Sequence, residues 1–384
     1  CSQNSQIYDY IATCLFGLEK FVGEEIDALG YERTFTMDGR VGFRGDISAV
    51  ARCNLWLRTA ERLFINAGSF RAESFDELFE GTKAIEWEQW IGRDDAFPVK
   101  GHSVKSVLYS IPDCQKIVKK AIVDRLSPRF GISRFEETGT KYQIEFFIFK
   151  NEAYLMIDAS GTALHKRGYR ALSGEAPLRE TLAAAVVKTS RPREEVLLWD
   201  PFCGSGTIPI EAALMARNIA PGLNRHFASE KWERVPEKLW KEERRRCYEA
   251  IDYDCMPKIY GSDVDPAAIE LARANAELAG VDDCITFEVK PVKELELYGD
   301  YGCLITNPPY GERLGEVKEV ENMYRSLGGT MNTNKTWSTY VITSMEYFEK
   351  LFGRKADAKR KLFNGRIKID YYQFYGPRPP KISE

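Results

Sequence analysis

The chain has 384 residues, with 54 Lys plus Arg against 57 Asp plus Glu and a formal net charge of −3. Its 44% hydrophobic and 29% charged residues are typical of a globular chain of two or three domains and exclude intrinsic disorder. No apolar stretch approaches the roughly 18 residues of a membrane span, and the first ten residues lack a signal-peptide pattern, so we expect a cytoplasmic protein with no membrane partner.

The first seventy residues predict an α+β unit of the ferredoxin-like type. Apolar residues at helical spacing between two strands, and an Asp38-Gly39 turn, indicate the order strand, helix, strand, strand, helix, strand. We therefore predict a first domain over residues 1–70. Its strands are predicted over 8–14, 31–37, 40–44 and 62–70, and its first helix over 17–29.

The next ninety residues predict a second α+β module, over residues 71–160. A basic helix is expected over 113–126 with Asp113 as its cap, and a hairpin about Lys150-Asn151. A polar, basic connector follows, and we place the main domain boundary there, at residue 161. The other predicted elements of the module are a helix over 75–90 and strands over 103–109, 142–149 and 153–158.

From about residue 175 strands alternate with helices, which predicts a parallel sheet covered by helices on both faces. The Asn364-Gly365 turn near the end makes the last two strands an antiparallel pair. We predict one α/β domain over residues 161–384. Its parallel strands are expected over 196–200, 258–263, 285–290, 303–307 and 339–343.

A glycine-containing loop follows the first of these strands. Glycines after a buried strand let a ligand approach the backbone, and the next helix presents free N–H groups. A Gly-Lys-Ser/Thr sequence is absent, which excludes a P-loop, and Asp200 before the turn offers a partner for an ammonium group. The candidate cofactor-binding residues of the loop are Asp200, Phe202, Cys203, Gly204, Ser205, Gly206 and Thr207.

The second strand ends in Asp263-Val264-Asp265-Pro266. An acidic residue at this place accepts hydrogen bonds from both ribose hydroxyls of a nucleoside, and we assign that role to Asp263 with Val264 beside it. Asp265 is expected to cap the helix that Pro266 begins. Because no second phosphate-recognition feature is present, S-adenosylmethionine is favoured over a dinucleotide as the cofactor.

The fourth strand delivers the tetrapeptide Asn307-Pro308-Pro309-Tyr310. The prolines stiffen the backbone and leave carbonyl groups free to accept hydrogen bonds. The Asn307 side-chain oxygen and the Pro308 carbonyl are predicted to accept both protons of an exocyclic amine, while Tyr310 stacks on the base. Catalysis then rests on positioning in a water-poor pocket, without a metal. Nine scattered cysteines without a C-x-x-C pair and three distant histidines also argue against a metal site.

Taken together, Ala-Pro-Leu-Arg-Glu at 176–180, Asp200 to Thr207 and Asn307 to Leu314 resemble the THUMP-domain class I RNA methyltransferases. The nearest branch is the large-subunit rRNA guanine-N2 methyltransferases. The resemblance covers essentially the whole chain. It implies a Rossmann-like methyltransferase domain that uses S-adenosylmethionine, behind a ferredoxin-like and THUMP RNA-binding region. It also implies that the 176–180 segment helps cover the cofactor, which adds Leu178, Arg179 and Thr181 to the candidates.

One position departs from the family. Relatives commonly have an acidic residue after the third strand to hold the adenine amino group, and this chain has Pro291 there. We therefore expect a backbone contact to adenine in place of a side-chain contact.

Local basic patches are compatible with a polyanion partner such as RNA, and equally with solvated helix faces. Residues 100–134 carry eight basic and two acidic side chains, and residues 161–193 carry seven and two. The target base must leave its stack to reach the pocket, so unpaired or extrudable RNA is expected, in rRNA or an assembling ribosomal subunit. The candidate RNA-binding residues are Lys116, Lys119, Lys120, Arg125, Lys166, Arg167, Arg170 and Arg313.

Three alternatives stay open. An adenine-N6 or cytosine-N4 nucleic-acid methylase uses similar tetrapeptide chemistry, and so does an enzyme that modifies a protein glutamine amide. A non-catalytic RNA-binding assembly factor with a relic transferase fold is a different class. Incorporation of methyl groups into duplex DNA favours the first alternative, and failure to bind S-adenosylmethionine favours the last.

Overall fold

The computed structural model describes residues 6–170, 178–190, 197–312 and 315–381. The chain divides into two compact units. The first contains residues up to 14, 22–164 and 226–246, and the second contains residues 15–21, 165–225 and 247–384. Among the described residues, no helix is both long and apolar enough to cross a membrane.

The first unit is built on a seven-stranded sheet in the order β2-β3-β1-β4-β7-β6-β5. All neighbours are antiparallel except β5 and β6, which run parallel. Side chains of β3, β4 and β7 on one face of this sheet are completely buried, namely Val41, Leu63 and Leu155. The strands are β1 (Tyr8–Thr13), β2 (Glu32–Met37), β3 (Arg40–Gly45), β4 (Arg62–Arg71), β5 (Val99–Val104), β6 (Ile144–Phe149) and β7 (Glu152–Asp158); the helices are α1 (Glu19–Ala28), whose first residues belong to the second unit, α2 (Ser48–Trp56), α3 (Phe75–Lys83) and α4 (Ile111–Phe130).

The two α+β modules that the sequence predicts share this one sheet, because β4 of the first pairs with β7 of the second along most of its length. The strand predicted over 103–109 is wrong: β5 ends at Val104, and Lys105 adopts a left-handed φ of 49° that breaks the extended backbone. Asp113 is not the cap of α4 either. Ser110 is the capping position, and Asp113 lies in the first turn, where its carboxylate accepts the Ser110 hydroxyl at 2.7 Å.

The second unit contains a seven-stranded sheet in the order β10-β9-β8-β11-β12-β14-β13. Its first five strands in the chain are parallel, and β14 runs antiparallel between β12 and β13. The predicted parallel sheet that ends in a reversed strand is confirmed. Its strands are β8 (Leu197–Asp200), β9 (Lys258–Asp263), β10 (Ile285–Val289), β11 (Cys303–Thr306), β12 (Ser338–Thr343), β13 (Ala358–Asn364) and β14 (Ile367–Phe374); the other helices are α5 (Glu180–Thr189), α6 (Thr207–Ala216), α7 (Glu237–Glu249), which begins in the first unit, α8 (Pro266–Ala279), α9 (Val317–Thr333) and α10 (Phe348–Phe352).

Strand order reverses between β8 and β11, which are neighbours in the sheet. In open α/β sheets the crevice at such a switch point, outside the carboxyl ends of the strands, is the usual ligand-binding site. The glycine loop follows β8 and the Asn-Pro-Pro-Tyr segment follows β11, so the fold brings both to this edge.

Candidate active site

A hydrogen bond joins the two loops at the switch point. The Thr306 hydroxyl, at the end of β11, donates to Asp200 Oδ1, at the end of β8, over 2.6 Å. The backbone N–H of Phe202 donates to the same oxygen at 3.1 Å. Both side chains of the Thr306–Asp200 pair are buried. Asp200 therefore fixes the start of the glycine loop against the strand that carries Asn307.

The glycine loop leaves room for a ligand beside its backbone. Gly206 precedes α6 with a φ of 86°, and a Cβ there would lie 3.1 Å from Ala272 and 3.2 Å from the Phe287 ring. Gly204 has a φ of 51°, and no heavy atom lies within 4 Å of the position that its Cβ would take. Gly206 thus lets the helix pack closely, and Gly204 borders open space that suits the approach of a cofactor.

Asp263 lies at the end of β9, where its carboxylate meets the glycine loop. Its Oδ2 accepts the Gly204 N–H at 3.0 Å, and its Oδ1 accepts the Asp265 N–H at 3.0 Å. Each oxygen keeps a further lone pair for a hydroxyl group. Asp265 caps α8 by accepting the Ala267 N–H at 2.9 Å, which confirms that prediction. The neighbouring Val264 is 61% exposed.

The remaining loop candidates differ in accessibility. Cys203 and Thr207 are buried, whereas Phe202 and Ser205 are partly exposed. The Ser205 carbonyl accepts the Asn275 side-chain amide at 3.0 Å, which holds the loop against α8. The residues at the start of α5 are also packed. Leu178 is 3% exposed and Thr181, in the first turn, is completely buried, while the Arg179 N–H donates to Asn364 Oδ1 at 3.2 Å.

Burial changes the protonation of Asp200. Desolvation raises the pKa of its carboxyl group from 3.8 to about 7, although the Thr306 hydroxyl and the Phe202 N–H both favour the ionised form. A buried carboxylate of this kind is stabilised when a cation approaches it. Asp200 is therefore poised to accept an ammonium group on the neighbouring ligand.

The tetrapeptide is folded onto itself. The Tyr310 hydroxyl donates to Asn307 Oδ1, the same oxygen that the sequence assigns to the substrate amine. Burial raises the pKa of Tyr310 well above its ordinary value, so this hydroxyl stays protonated and acts as a donor. The Tyr310 hydroxyl therefore occupies one of the two lone pairs of Asn307 Oδ1.

Tyr324, on α9, is a site residue that the sequence does not reveal. Its hydroxyl, completely buried, donates to the Pro309 carbonyl at 2.6 Å and lies 2.9 Å from Thr343 Oγ1. The Met345 N–H donates to the Thr343 hydroxyl at 3.2 Å. This gives one consistent chain of donors, from Met345 through Thr343 and Tyr324 to Pro309, which fixes the second proline of the tetrapeptide.

Replacing Tyr324 by phenylalanine is expected to lower turnover while leaving cofactor affinity unchanged. The ring still fills its place, but the Pro309 carbonyl loses its donor, and we expect a loss of about 1–2 kcal/mol in orientation of the tetrapeptide. That corresponds to a roughly five- to thirtyfold fall in turnover. Tyr347→Phe is the matched control, because it removes an exposed hydroxyl that donates to Glu321. Equal turnover in the Tyr324 variant and the wild type would show that the chain of donors serves stability alone.

In the connector, the predicted RNA contact of Arg167 is wrong, and Arg170 is paired within the protein. Arg167 is 3% exposed and donates to Glu211 Oε1 at 2.8 Å, so it is closed off from a phosphate. Arg170 forms a 2.8 Å ion pair with Glu180 and also donates to the Leu178 carbonyl and to the Thr207 hydroxyl. Arg170 therefore ties the start of α5 to the start of α6 next to the glycine loop.

Two candidates on α4 are also engaged within the protein. Lys119 Nζ lies 2.7 Å from Glu137 Oε1 and 3.7 Å from the centre of the Phe97 ring. Arg125 donates both its Nε and Nη2 atoms to Glu88, at 3.1 and 2.7 Å, and this pairing lowers the pKa of Glu88. Both side chains are partly exposed, and their role in RNA binding stays a prediction. The remaining candidates are the exposed Lys116, Lys120 and Lys166; Arg313 lies outside the described residues.

The described parts of the chain contain no group of three or more histidine, cysteine, aspartate or glutamate side chains placed to hold an ion. The site instead consists of backbone donors, carboxylates and an amide. Such groups suit a nucleoside cofactor with an ammonium group and a substrate amine.

The second unit has the strand order third, second, first, fourth, fifth, seventh, sixth, with the seventh strand reversed. Together with the glycine loop after the first strand, the aspartate after the second and the tetrapeptide after the fourth, this order defines a Rossmann-like class I methyltransferase. Comparison with family models agrees. Residues 167–373 match the RMKL-like methyltransferase domain, residues 72–158 the THUMP domain and residues 9–64 the RlmL ferredoxin-like domain. The chain belongs to the RMKL-like methyltransferase family, and the predicted resemblance is confirmed.

Curated relatives support the same family. YpsC of Bacillus subtilis (strain 168), named as a candidate RNA methyltransferase, is 49% identical over 97% of each chain. The ribosomal RNA large subunit methyltransferase K/L of Psychromonas ingrahamii is 34% identical over 94% of this chain and 50% of its own length. The chain therefore spans about half the length of the K/L relatives.

Solved structures share the whole fold. A Listeria monocytogenes protein described as a predicted N6-adenine-specific DNA methylase has a TM-score of 0.93 and 48% identity, with 97% of each chain covered. SMU.472, a candidate methyltransferase complexed with S-adenosylhomocysteine, has a TM-score of 0.91 and 43% identity, with 98% of this chain and 100% of its own covered. S-adenosylhomocysteine is what remains of S-adenosylmethionine after methyl transfer. The predicted cofactor, S-adenosylmethionine, is confirmed.

Proposed function

We propose that this protein transfers a methyl group from S-adenosylmethionine to the exocyclic N2 amine of a guanine in large-subunit rRNA, in the cytoplasm. The observation that carries the proposal is the junction at the switch point. There the Thr306–Asp200 hydrogen bond holds the glycine loop next to the strand that delivers Asn307. A substrate amine held by Asn307 is therefore close to the cofactor that the glycine loop binds.

The cofactor, when bound, supplies an electrophilic methyl group on a sulfonium centre. Asp263 is placed to accept its ribose hydroxyls, and Asp200 is placed to accept its ammonium group. Gly204 provides the open space beside the loop backbone. Backbone N–H donors already orient both carboxylates in the fold. Little reorganisation is therefore needed when the cofactor binds.

Asn307 and the tetrapeptide are proposed to position the substrate. Asn307 Oδ1 and the Pro308 carbonyl accept the two protons of the planar amine and aim its lone pair at the methyl carbon. The nitrogen–carbon bond forms as the carbon–sulfur bond breaks, and the amine loses one proton to solvent during or after transfer. Tyr310 releases Asn307 as the amine arrives, and its ring stacks on the extruded base. No strong base is required, because the site accelerates transfer by positioning the amine against the methyl group.

RNA is the substrate class that the first unit favours. Residues 72–158 match the THUMP domain, and the K/L relatives are named for methylation of large-subunit ribosomal RNA. We infer that the first unit holds rRNA, alone or in an assembling ribosomal subunit. Mass spectrometry of rRNA nucleosides from cells with and without the gene tests this. We expect one methylated guanosine to disappear with the gene, and an unchanged nucleoside profile would refute the assignment.

An adenine-N6 methylase is the second candidate, because the similar Listeria structure is described as one. An adenine amine presents the same two protons to Asn307, so the tetrapeptide alone does not separate the two. The THUMP match of the first unit supports RNA over duplex DNA as the substrate, and the identity of the methylated base is left to the experiment. Labelled S-adenosylmethionine should therefore deliver methyl groups to rRNA and leave duplex DNA unlabelled. The reverse pattern would favour the second candidate.

A further inference from the structure

One surface segment of the first unit combines exposed apolar side chains with lysines. It consists of residues 104–109, at and after the end of β5, and the turn Lys150-Asn151 between β6 and β7; we call it the β5–β6 tip. Tyr109 is 81% exposed, Val107 59% and Val104 41%. Lys105 and Lys150 are exposed as well. None of these residues belongs to the active site.

Hydrogen bonds hold the two parts of the tip in a fixed arrangement. Asn151 Oδ1 accepts the Val107 N–H at 2.8 Å, and the Asn151 N–H donates to the Ser106 hydroxyl at 3.0 Å. The Lys150 N–H donates to the Val104 carbonyl at 3.2 Å. A surface that is ordered before binding loses less conformational entropy when a partner arrives. The backbone that carries the exposed side chains is therefore already ordered in the free protein.

The composition of the tip matches one kind of partner. A single exposed tyrosine is ordinary in a folded protein, but here three large apolar side chains lie within six residues. Residues 103–109 and 149–151 contain two lysines and no acidic residue, and one carboxylate borders them, because Glu73 Oε1 accepts the Asn151 side-chain amide at 3.1 Å. Lys150 Nζ also lies 5.2 Å from the centre of the Phe149 ring, so cation and aromatic surface adjoin. Aromatic rings beside cations are the typical means of binding unpaired nucleic-acid bases and their phosphates.

We propose that the β5–β6 tip binds a single-stranded segment of RNA. Tyr109 stacks on an unpaired base, and Lys105 and Lys150 contact the adjoining phosphates. The proposal rests on the proposed function, since it takes RNA as the substrate. It adds a contact site on the first unit whose lysines are exposed, whereas Lys119 and Arg125 of α4 are paired with carboxylates.

Fluorescence anisotropy of a labelled mixed-sequence single-stranded RNA oligonucleotide, titrated with the full chain, tests the aromatic contact. We expect Tyr109→Ser to weaken binding roughly tenfold, which is within the range for loss of one base–aromatic stack, while Tyr109→Phe binds as the wild type does. Tyr253→Ser is the matched control, because Tyr253 is 67% exposed in the second unit. We expect it to leave the affinity unchanged.

Salt dependence tests the lysines. Each phosphate contact to single-stranded RNA contributes about 0.7 to the slope of log affinity against log salt concentration. We expect the Lys105→Gln and Lys150→Gln variants each to reduce the slope by about that amount. Lys238→Gln, which neutralises an exposed lysine on α7, is expected to retain the wild-type slope.

The outcomes separate this inference from the proposed function. Wild-type affinity in Tyr109→Ser, an equal loss in the Tyr253→Ser control, or no binding of the oligonucleotide by the wild type would each overturn the inference. A parallel assay of methyl transfer to rRNA by the wild type tests the proposed function. If Tyr109→Ser binds the oligonucleotide weakly and the wild type methylates no RNA, the result supports RNA binding at the β5–β6 tip and refutes the proposed reaction.

Discussion

An Asn307→Ala variant is expected to bind S-adenosylmethionine normally and to turn over about 10²–10³-fold more slowly than the wild type, which is typical of removing one fixed hydrogen-bonding group that acts in the transition state. The amine loses the acceptor that aligns its lone pair, whereas the glycine loop and Asp200 are untouched. Calorimetry measures the cofactor affinity, and single-turnover transfer to rRNA measures the chemical step.

Two companion variants sharpen this prediction. Asn307→Asp keeps a side-chain oxygen acceptor, and we expect it to recover part of the lost activity. Asn322→Ala, on the exposed face of α9, is the matched control and should leave both measurements unchanged. Full turnover in Asn307→Ala would show that the tetrapeptide serves only as a rigid turn.

Replacing Asp200 by asparagine is expected to stabilise the fold above pH 7 while weakening cofactor binding at least tenfold. The folded-state pKa of Asp200 is raised from 3.8 to about 7, so keeping it ionised in the folded state at pH 8 costs about 4 kcal/mol. Asparagine avoids that cost and still accepts the Thr306 and Phe202 hydrogen bonds through its Oδ1. It loses the negative charge that a cofactor ammonium requires.

The pH dependence gives the sign of the Asp200 effect. A raised folded-state pKa means that the folded state holds the proton more tightly than the unfolded state. The contribution of Asp200 to the stability of the wild type is therefore greatest below pH 4, and it is lost as pH rises to 7. The gain in unfolding free energy of Asp200→Asn should therefore be full above pH 7 and shrink as pH falls toward 4. Asp252→Asn, at an exposed turn with two backbone N–H donors, is the control and should show neither effect. A gain that does not change with pH would contradict the account.

The architecture of the second unit was predictable because each of its signals is local. Alternating apolar runs and amphipathic stretches identify the strands and helices, and Asp265-Pro266 marks a helix start that the structure confirms. Parallel strands bring their carboxyl ends to one edge, so the positions of Asp200 and Asn307 follow from the order of elements alone.

Which basic side chains form ion pairs within the protein was not predictable, because their partners lie far away in the chain. Arg125 pairs with Glu88 across 37 residues, and Arg167 pairs with Glu211 across 44. A sequence shows the charge but gives no sign of the carboxylate that neutralises it. Part of the basic charge that indicated RNA contact is therefore paired with carboxylates of the same chain.

Tyr324 was missed for a related reason. On α9 it lies among apolar residues at helical spacing and has the pattern of a core side chain. Nothing in that pattern shows that its hydroxyl reaches the Pro309 carbonyl. The single sheet of the first unit was likewise hidden, because the pairing of β4 with β7 joins strands about eighty residues apart.

The most direct measurement identifies the product of the purified protein. Incubation with S-adenosylmethionine and rRNA from cells that lack the gene, followed by digestion and mass spectrometry of the nucleosides, reports which atom receives the methyl group. The proposed function predicts N2-methylguanosine in rRNA and an equal amount of S-adenosylhomocysteine. Methylated adenine, or rRNA that stays unmethylated while the cofactor is bound, would contradict it.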